Sequence, residues 1–319
     1  MLSISVLLAT YNRTHSLKDC LEGLKQQSRL PDEIIVIVRD SDSVTWDFCR
    51  EYLTPSWSKI AVKFVPVKVP GQVAALNCGL NEVKNDLICI TDDDAVPHPQ
   101  WIEKIERHFL TDSSIAGVGG RDWVYQNGVL LQESAKIIGK VQWFGRVIGN
   151  HCFGNGPMRE VDILKGANMS YRREAVKGLL FDTRLLGSGA QVHNDLAFSL
   201  ELRKRSYKLI YDPEVCVDHF PAVRFDEDGR DVFSAIAFKN AAHNETLILL
   251  NYLPPLRKIA YLIWSILIGT RGKPGIFQLI RFSRMPGFHA FDKWKASLEG
   301  SWCGILTWFT LKKPSYKVR

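Results

Sequence analysis

The chain has 319 residues, 46% of them apolar, with 41 Lys and Arg against 34 Asp and Glu for a formal charge of +7. That content suffices for a full core in one large or two modest domains, and the lack of repeats or low-complexity tracts excludes solenoid and disordered classes. From Leu250 onward there are 12 basic and 2 acidic residues, against 29 and 32 in the 249 before them, so the basic excess belongs to the tail, which excludes a nucleic-acid-binding core.

Ser3–Ala9 is an apolar run of strand length. No basic segment precedes it and Tyr11-Asn12-Arg13 follows it in place of a small-residue cleavage site, so it predicts a buried first strand and not a leader peptide. Leu17, Cys20, Leu21 and Leu24 then follow helical spacing. Ile34–Val38 and Ala61–Val67 predict two more strands, and Val73, Leu76, Leu80 and Val83 a second helix. Leu87–Thr91 predicts a fourth strand, and Ile102, Ile105 and Phe109 a helix opened by Pro97 and Pro99. Strands apolar on both faces, alternating with helices, predict an α/β fold: a mostly parallel central sheet covered on both sides.

From Gly117 to Pro157 the pattern loosens and is rich in Gly, Trp and Phe. Order returns at Val161–Tyr171, followed by a helix from Asp195 to about Arg205 and a strand at Lys208–Tyr211. Beyond Asp231 the sequence turns helical, amphipathic and basic. The expected division is therefore a catalytic domain over 1–230 and a helical basic region over 231–319. The seven cysteines are odd in number, contain no Cys-x-x-Cys pair, and include Cys89 in an apolar run. They predict small buried hydrophobes in a reducing, cytoplasmic compartment, without a disulfide framework.

Three adjacent carboxylates, Asp92, Asp93 and Asp94, follow the fourth predicted strand. Ligands of open α/β sheets bind beyond the carboxyl ends of strands, and clustered carboxylates there call for a cation. Mg²⁺ or Mn²⁺ suits them, as hard ions that take carboxylate and diphosphate oxygens. The bland reading is a solvated acidic turn.

Several stretches together resemble the family-2 glycosyltransferases. Val6-Leu7-Leu8-Ala9-Thr10-Tyr11-Asn12-Arg13 is similar to that family's opening strand and loop, and Asp92-Asp93-Asp94 to its Asp-x-Asp motif. Gly71-Gln72-Val73-Ala74-Ala75-Leu76-Asn77-Cys78-Gly79 resembles the segment under the nucleotide. Lys165-Gly166-Ala167-Asn168-Met169 resembles the strand near the donor sugar, and His193-Asn194-Asp195-Leu196 stands where the family has a Glu-Asp pair. Asp212-Pro213 and His219 match the strand and histidine that close the catalytic domain. The resemblance covers roughly residues 3 to 220, and six motifs in the right order carry it.

The resemblance implies a glycosyltransferase A fold and inverting, metal-dependent transfer from a nucleotide-sugar, UDP-linked or another nucleoside diphosphate. The acceptor hydroxyl would belong to a glycan or a lipid-linked acceptor. Thr10, Tyr11, Asn12 and Arg13 would meet the nucleoside, with either Asp40 or Asp42 reading base or ribose and Gln72 and Asn77 close by. The run Arg39-Asp40-Ser41-Asp42 departs from the family's Asp-Asp-Gly-Ser. Asp92 and Asp93 would border the donor, and Asp94 with Asp92 would hold the ion. His219 is either a third ligand or a satisfied structural histidine. Gly166, Ala167, Asn168 and Asn194 would lie toward donor sugar and acceptor. Asp195 would be the general base; a plain helix cap is its bland reading. Trp123, Tyr125, Trp143 and Phe144 either stack on acceptor sugars or belong to the core.

Two competing readings are a nucleotidyltransferase and a catalytically inactive sugar-nucleotide-binding subunit. The loop Ala9–Arg13 lacks the glycines of the first, and intact Asp92–Asp94 and Asp195 argue against the second. The tail remains. Its apolar run Ile259–Ile268 would rise only ~15 Å as a helix against a ~30 Å hydrocarbon core. Residues 250–319 are therefore expected to dock peripherally on an anionic membrane surface, the inner face for a cytoplasmic protein, or to pack on the catalytic domain.

Overall fold

The computed structural model describes residues 1–52, 57, 59–227 and 233–311; the expected boundary at 230/231 lies outside them. The chain runs β1 (Ile4–Thr10), α1 (Thr14–Lys25), β2 (Glu33–Arg39), α2 (Ser43–Tyr52), β3 (Ala61–Val67), α3 (Gln72–Glu82), β4 (Leu87–Asp92), β5 (Ala95–Pro97) and α4 (Trp101–Thr111). Then come β6 (Ile115–Gln126), the short β7 (Val129–Leu130), β8 (Lys140–Val141) and β9 (Val147–Ile148), followed by β10 (Arg159–Val161), β11 (Met169–Arg172), α5 (Arg173–Val176), α6 (Asn194–Lys204) and β12 (Lys208–His219). Four helices close the described chain: α7 (Ala235–Tyr252), α8 (Pro255–Leu267), α9 (Ile276–Phe282) and α10 (Ala290–Thr310).

The main sheet has the order β10-β12-β6-β11-β4-β1-β2-β3. β3, β2, β1 and β4 are mutually parallel, with Ala9 opposite Asp92 and Thr10 opposite Val38. β11 is inserted antiparallel between β4 and β6, and β12 runs parallel to β6. Along β1, alternate residues enter two cores, as the two-residue period of a strand requires. Ile4, Val6 and Leu8 pack with Leu17, Leu21 and Leu24 of α1 and Trp101 of α4. Leu7 on the other face joins Val73 and Leu76 of α3, Leu196 and Phe198 of α6, and Leu247 and Ile248 of α7. Both faces of the sheet are thus covered, as expected, and α7 supplies part of one cover.

Three features differ from the sequence-based expectation. α2 was not foreseen: Val44, Phe48 and Tyr52 follow helical spacing, but Ser43–Tyr52 buries only Thr45 and Cys49. A short strand, β5, separates the Asp triplet from α4, so Pro97 belongs to a strand that pairs with β12. β6 is a twelve-residue strand where a loose loop region was expected. Its glycines signal a turn to a reader of sequence, but here they allow close approach. A Cβ on Gly120 would stand 1.9 Å from the Val215 carbonyl oxygen and 2.5 Å from that of Asp212.

Two buried histidines link these layers. His151 Nε2 lies 2.9 Å from the Ile163 carbonyl oxygen. His243 of α7 lies 2.9 Å from Asn244 Oδ1 through Nδ1 and 2.9 Å from Thr307 Oγ1 of α10 through Nε2. Burial, ahead of any other influence, holds both below the ordinary histidine value of 6.5. The unfolded chain then binds protons that the folded chain refuses, so this stability is present above about pH 6.5 and lost as pH falls. We expect the denaturant midpoint to drop between about pH 7 and pH 5, and to drop less steeply in His243→Gln. An equal slope in both proteins would remove His243 as a source of the acid sensitivity.

Candidate functional site

The carboxyl ends of β1, β2, β3 and β4 open into one cleft of about 540 Å³. β1 delivers Thr10, Tyr11 and Arg13, β2 delivers Arg39, and β4 delivers Asp92 with Asp93 and Asp94 in the turn beyond it. β12 delivers His219 from the far side, because its pairing with β5 sets His219 opposite Ala95. The remaining wall is the Lys165–Ala167 turn and the start of α6 with Asn194 and Asp195.

Three strand ends meet at Asp94. Its Oδ2 accepts from the Ala222 backbone N–H at 2.9 Å and lies 3.5 Å from Arg13 Nη1, while its Oδ1 lies 3.4 Å from His219 Nε2. Arg13 Nη1 also pairs with Asp93 Oδ1 at 2.8 Å. One ligand atom each from Asp92, Asp94 and His219 falls within 4.8 Å of the others. Burial pushes Asp92 and Asp93 up, and the adjacent Asp94 charge pushes the same way. Asp94 also suffers burial, but its hydrogen bond and ion pair with His219 outweigh that and hold it low. For His219, burial opposes charge, yet the carboxylates of Asp122 and Asp94 raise it to about 9.

The cluster therefore draws positive charge to itself, from Arg13 and from a proton on His219. Two carboxylates and an imidazole with converging atoms are a donor set that fits Mn²⁺ or Mg²⁺. One oxygen of Asp93 and Nδ1 of His219 are buried without a hydrogen-bond partner, so the local demand for partners is unmet.

A second set of bonds joins this cluster to α6. Gln72 Nε2 donates to Asp92 Oδ1 at 3.2 Å, and Gln72 Oε1 accepts from Asn194 Nδ2 at 3.1 Å. Asn194 Nδ2 also reaches the carbonyls of Ala190 and Gln191 at 2.9 and 3.2 Å. Next to it, Asp195 accepts from the Gly166 N–H at 3.2 Å and from the Leu196 N–H at 2.8 Å. Asp195 sits in the first turn of α6.

Five expected residues stand outside the cleft lining. Asp42 is buried and spent on backbone, accepting from the Asn12 N–H at 2.6 Å and the Thr45 N–H at 3.0 Å. Asp40 is exposed on the neighbouring turn, and Asn12 takes the left-handed conformation there. Asn77 exchanges two hydrogen bonds with the Phe181 backbone, at 3.0 and 2.8 Å. Asn168 accepts from Trp101 Nε1 at 2.9 Å and donates to the Val215 carbonyl at 2.7 Å. These amides fasten elements together behind the site, and a polar letter in a motif does not reveal which side of the backbone it faces.

Other lining residues were missed. Arg39 lies 3.8 Å over the Tyr11 ring and pairs with Asp226 at 2.8 Å. Phe225 meets the edge of Tyr11 at 6.4 Å. Lys165, at the floor, is ion-paired with the buried Asp122 of β6. Arg39 carried a signal, as a charge at the end of an apolar strand, and Lys165 one as the first residue of the Lys165-Gly166-Ala167 motif. Of the aromatics expected on the acceptor side, Tyr125 stacks on Phe220 at 4.8 Å, Phe144 packs on Trp264 at 5.2 Å, and Trp143 is exposed.

Residues 5–180 match the family model "Glycosyl transferase family 2". The chain belongs to that family. The uncharacterised glycosyltransferase YwdF of Bacillus subtilis is 31% identical over 34% of this chain and 39% of its own length. Glycosyltransferase AglE of Haloferax volcanii is 23% identical over 70% of this chain and 68% of its own. The chain thus spans well under half of the first relative and about two thirds of the second. Among solved structures, the mannosyltransferase PcManGT of Pyrobaculum calidifontis, in complex with GDP-Man and Mn²⁺, superposes with a TM-score of 0.57 at 14% identity. That match covers 97% of this chain and 87% of the other, and it shows a shared glycosyltransferase A fold.

For a family-2 enzyme with this ligand set, Mn²⁺ binding should depend on Asp94. Asp94→Asn keeps an acceptor for the Ala222 N–H and removes the charge. Loss of outer-shell partners alone costs ~10–100-fold in metal affinity, so loss of a ligand should cost at least ~100-fold by titration calorimetry, with an unchanged circular dichroism spectrum. Wild-type affinity in the folded variant would place the ion elsewhere.

Proposed function

We propose that this family-2 glycosyltransferase moves a sugar from a nucleotide-sugar, UDP-linked or another nucleoside diphosphate, to an acceptor hydroxyl with inversion at the anomeric carbon. The acceptor is a glycan or a lipid-linked acceptor. The observation that carries this reading is the hydrogen-bonded path from Asp92 through Gln72 to Asn194, the residue beside Asp195. It holds a cation-seeking cluster and the Asp195 carboxylate on the walls of one cleft.

In this reading Thr10, Tyr11 and Arg39 border the nucleoside, and Arg13, Lys165 and Arg224, all in the lining, face the diphosphate with favourable charge. Asp92, Asp94 and His219 are the residues that would hold Mn²⁺ or Mg²⁺, which would supply positive charge against the diphosphate. The Gly166–Ala167 backbone, bare of bulky side chains, faces the donor sugar. The acceptor oxygen attacks the anomeric carbon, the bond to the diphosphate oxygen breaks with its electron pair, and the acceptor proton passes to Asp195. Residues 1–230 form the catalytic portion, and the protein works in the cytoplasm, peripherally on the inner face of the membrane.

A screen of nucleotide-sugars for Mn²⁺- or Mg²⁺-dependent hydrolysis identifies the donor, and nucleotidyl transfer to a sugar phosphate in the same screen would replace this reading. With the donor known, Asp195→Asn should bind it as the wild type does while transfer falls ~10²-fold or more, the range a positioned base supplies. Unchanged turnover would move the base to another residue.

A further inference from the structure

Helix α8 is amphipathic in an unusual direction. Its inner face buries Tyr261 and Ser265, and Tyr261 packs on Leu249 of α7 and on Leu253 just after it. Its outer face carries Leu256, Ile259, Ile263, Ile266 and Leu267, which follow helical spacing and are all exposed, Leu256 at 76% and Ile263 at 54%. α9 follows directly, its first turn lying against the end of α8: a Cβ on Gly275 would stand 2.7 Å from the Ile266 carbonyl oxygen. It adds Ile276, Phe277 and Ile280, the last 68% exposed. Water-facing apolar side chains in such numbers mark a surface with a partner.

Charge identifies the partner. No Asp or Glu occurs from Thr246 to Phe291, while Arg257, Lys258, Arg271, Lys273, Arg281 and Arg284 do. Three of these are spent inward. Arg257 donates to the Trp143 carbonyl at 2.9 Å, Lys258 lies 4.7 Å over Trp308, and Lys273 pairs with Glu245 at 3.1 Å. Arg271 and Arg281 lie over the Phe288 and Phe282 rings at 5.5 and 5.2 Å, but with Arg284 they are exposed and enter none of the ion pairs among the described residues. A second copy would set arginine against arginine, whereas an anionic lipid surface accepts both the cations and the apolar stripe. Among the described residues no helix is long and apolar enough to cross a membrane, so the face lies in the interface plane.

We propose that the α8–α9 face docks on an anionic lipid surface through Ile259, Ile263, Phe277 and Ile280, with Arg271, Arg281 and Arg284 against the headgroups. This deepens the peripheral location proposed above and rests on it, though not on the transfer chemistry. A smaller cleft of about 170 Å³ shares Gly189, Ala190, Val192 and Arg224 with the main one and extends to Gly272, beside Arg271. Docking would therefore bring the substrate cleft close to the lipid surface.

The test is co-sedimentation of the full chain with phosphatidylglycerol vesicles and with phosphatidylcholine vesicles, at low and high salt. The protein should pellet with phosphatidylglycerol at low salt and be largely released by high salt. Arg281→Gln/Arg284→Gln should weaken binding about tenfold or more, given ~1 kcal/mol per surface cation. Ile259→Glu/Ile263→Glu, both at exposed positions, should abolish it. A full chain that stays in the supernatant overturns the proposal, as does a double glutamate variant that pellets like wild type. So does a dimer in light scattering that the same variant dissolves, which would make the face a self-interface. Metal-dependent hydrolysis of the nucleotide-sugar, read on the same proteins in solution, separates failure of docking from failure of the transferase reading.

Discussion

The architecture turns on three consecutive carboxylates, Asp92 at the end of β4 and the buried Asp93 and Asp94 just beyond it. Asp93 and Asp94 are almost wholly enclosed, and enclosed like charges are costly unless something positive or donating reaches them. The chain meets this demand from three directions: the β1 loop sends Arg13, the end of β12 sends His219, and the segment after β12 donates the Ala222 N–H. The positions of β12 and of residues 220–226 follow from that requirement as much as from the sheet. Phe220 N–H bonds back to the Asp94 carbonyl at 2.9 Å, so the same residue organises the loop through backbone and side chain.

The parallel half of the sheet was legible because its physics is local. Apolar runs mark β1, β2 and β4, and α1 and α3 show their buried stripe every three or four residues. The other half depends on approaches that composition hides. Gly120 reads as a turn residue, and only the proximity of the β12 backbone shows that it is a strand position where a side chain cannot fit. The site divides in the same way. Asp92, Asp94, Asp195 and His219 come together as the motif order implied, whereas Asn77 and Asn168 serve as brackets and Asp42 as a backbone cap. A short polar side chain in a motif satisfies either role, and the choice is made by which carbonyl or N–H lies opposite, a fact of tertiary structure.

Asp122 and Lys165 show how far such choices reach. Asp122 lies on β6, a strand the sequence concealed, and its carboxylate stands between Lys165 and His219, 3.6 Å from Nδ1 of the histidine. Burial lowers the affinity of Lys165 for its proton, but the Asp122 charge more than restores it, so the pair stays ionised beneath the cleft. A carboxylate behind a ligating imidazole is a common way to fix its ring orientation. Here the same carboxylate also anchors the turn that presents Gly166 and Ala167, so the cation-seeking wall and the Gly166–Ala167 wall share one support.

The C-terminal helices raise the opposite question, of what decides that a helix turns an apolar face outward. α7 and α10 bury their contact closely, since a Cβ on Gly300 would stand 2.2 Å from the Lys239 carbonyl oxygen. α8 adds a polar network to its apolar contacts: Lys273 Nζ bonds Glu245 at 3.1 Å and Thr246 Oγ1 at 2.7 Å and also reaches the Tyr261 hydroxyl. An ion pair buried this deeply contributes little net stability, because desolvation offsets most of the attraction. What it does fix is geometry, for Glu245 and Thr246 on α7, Tyr261 on α8 and Lys273 in the turn before α9 can satisfy one another in few arrangements. That arrangement turns the Tyr261 side of α8 inward, and with it the opposite side, from Leu256 to Leu267, outward. Tyr261, Leu262 and Trp264 also join Leu249 and Leu253 in an apolar cluster on that inner side, so packing and the polar network act together to leave the outer stripe at the surface.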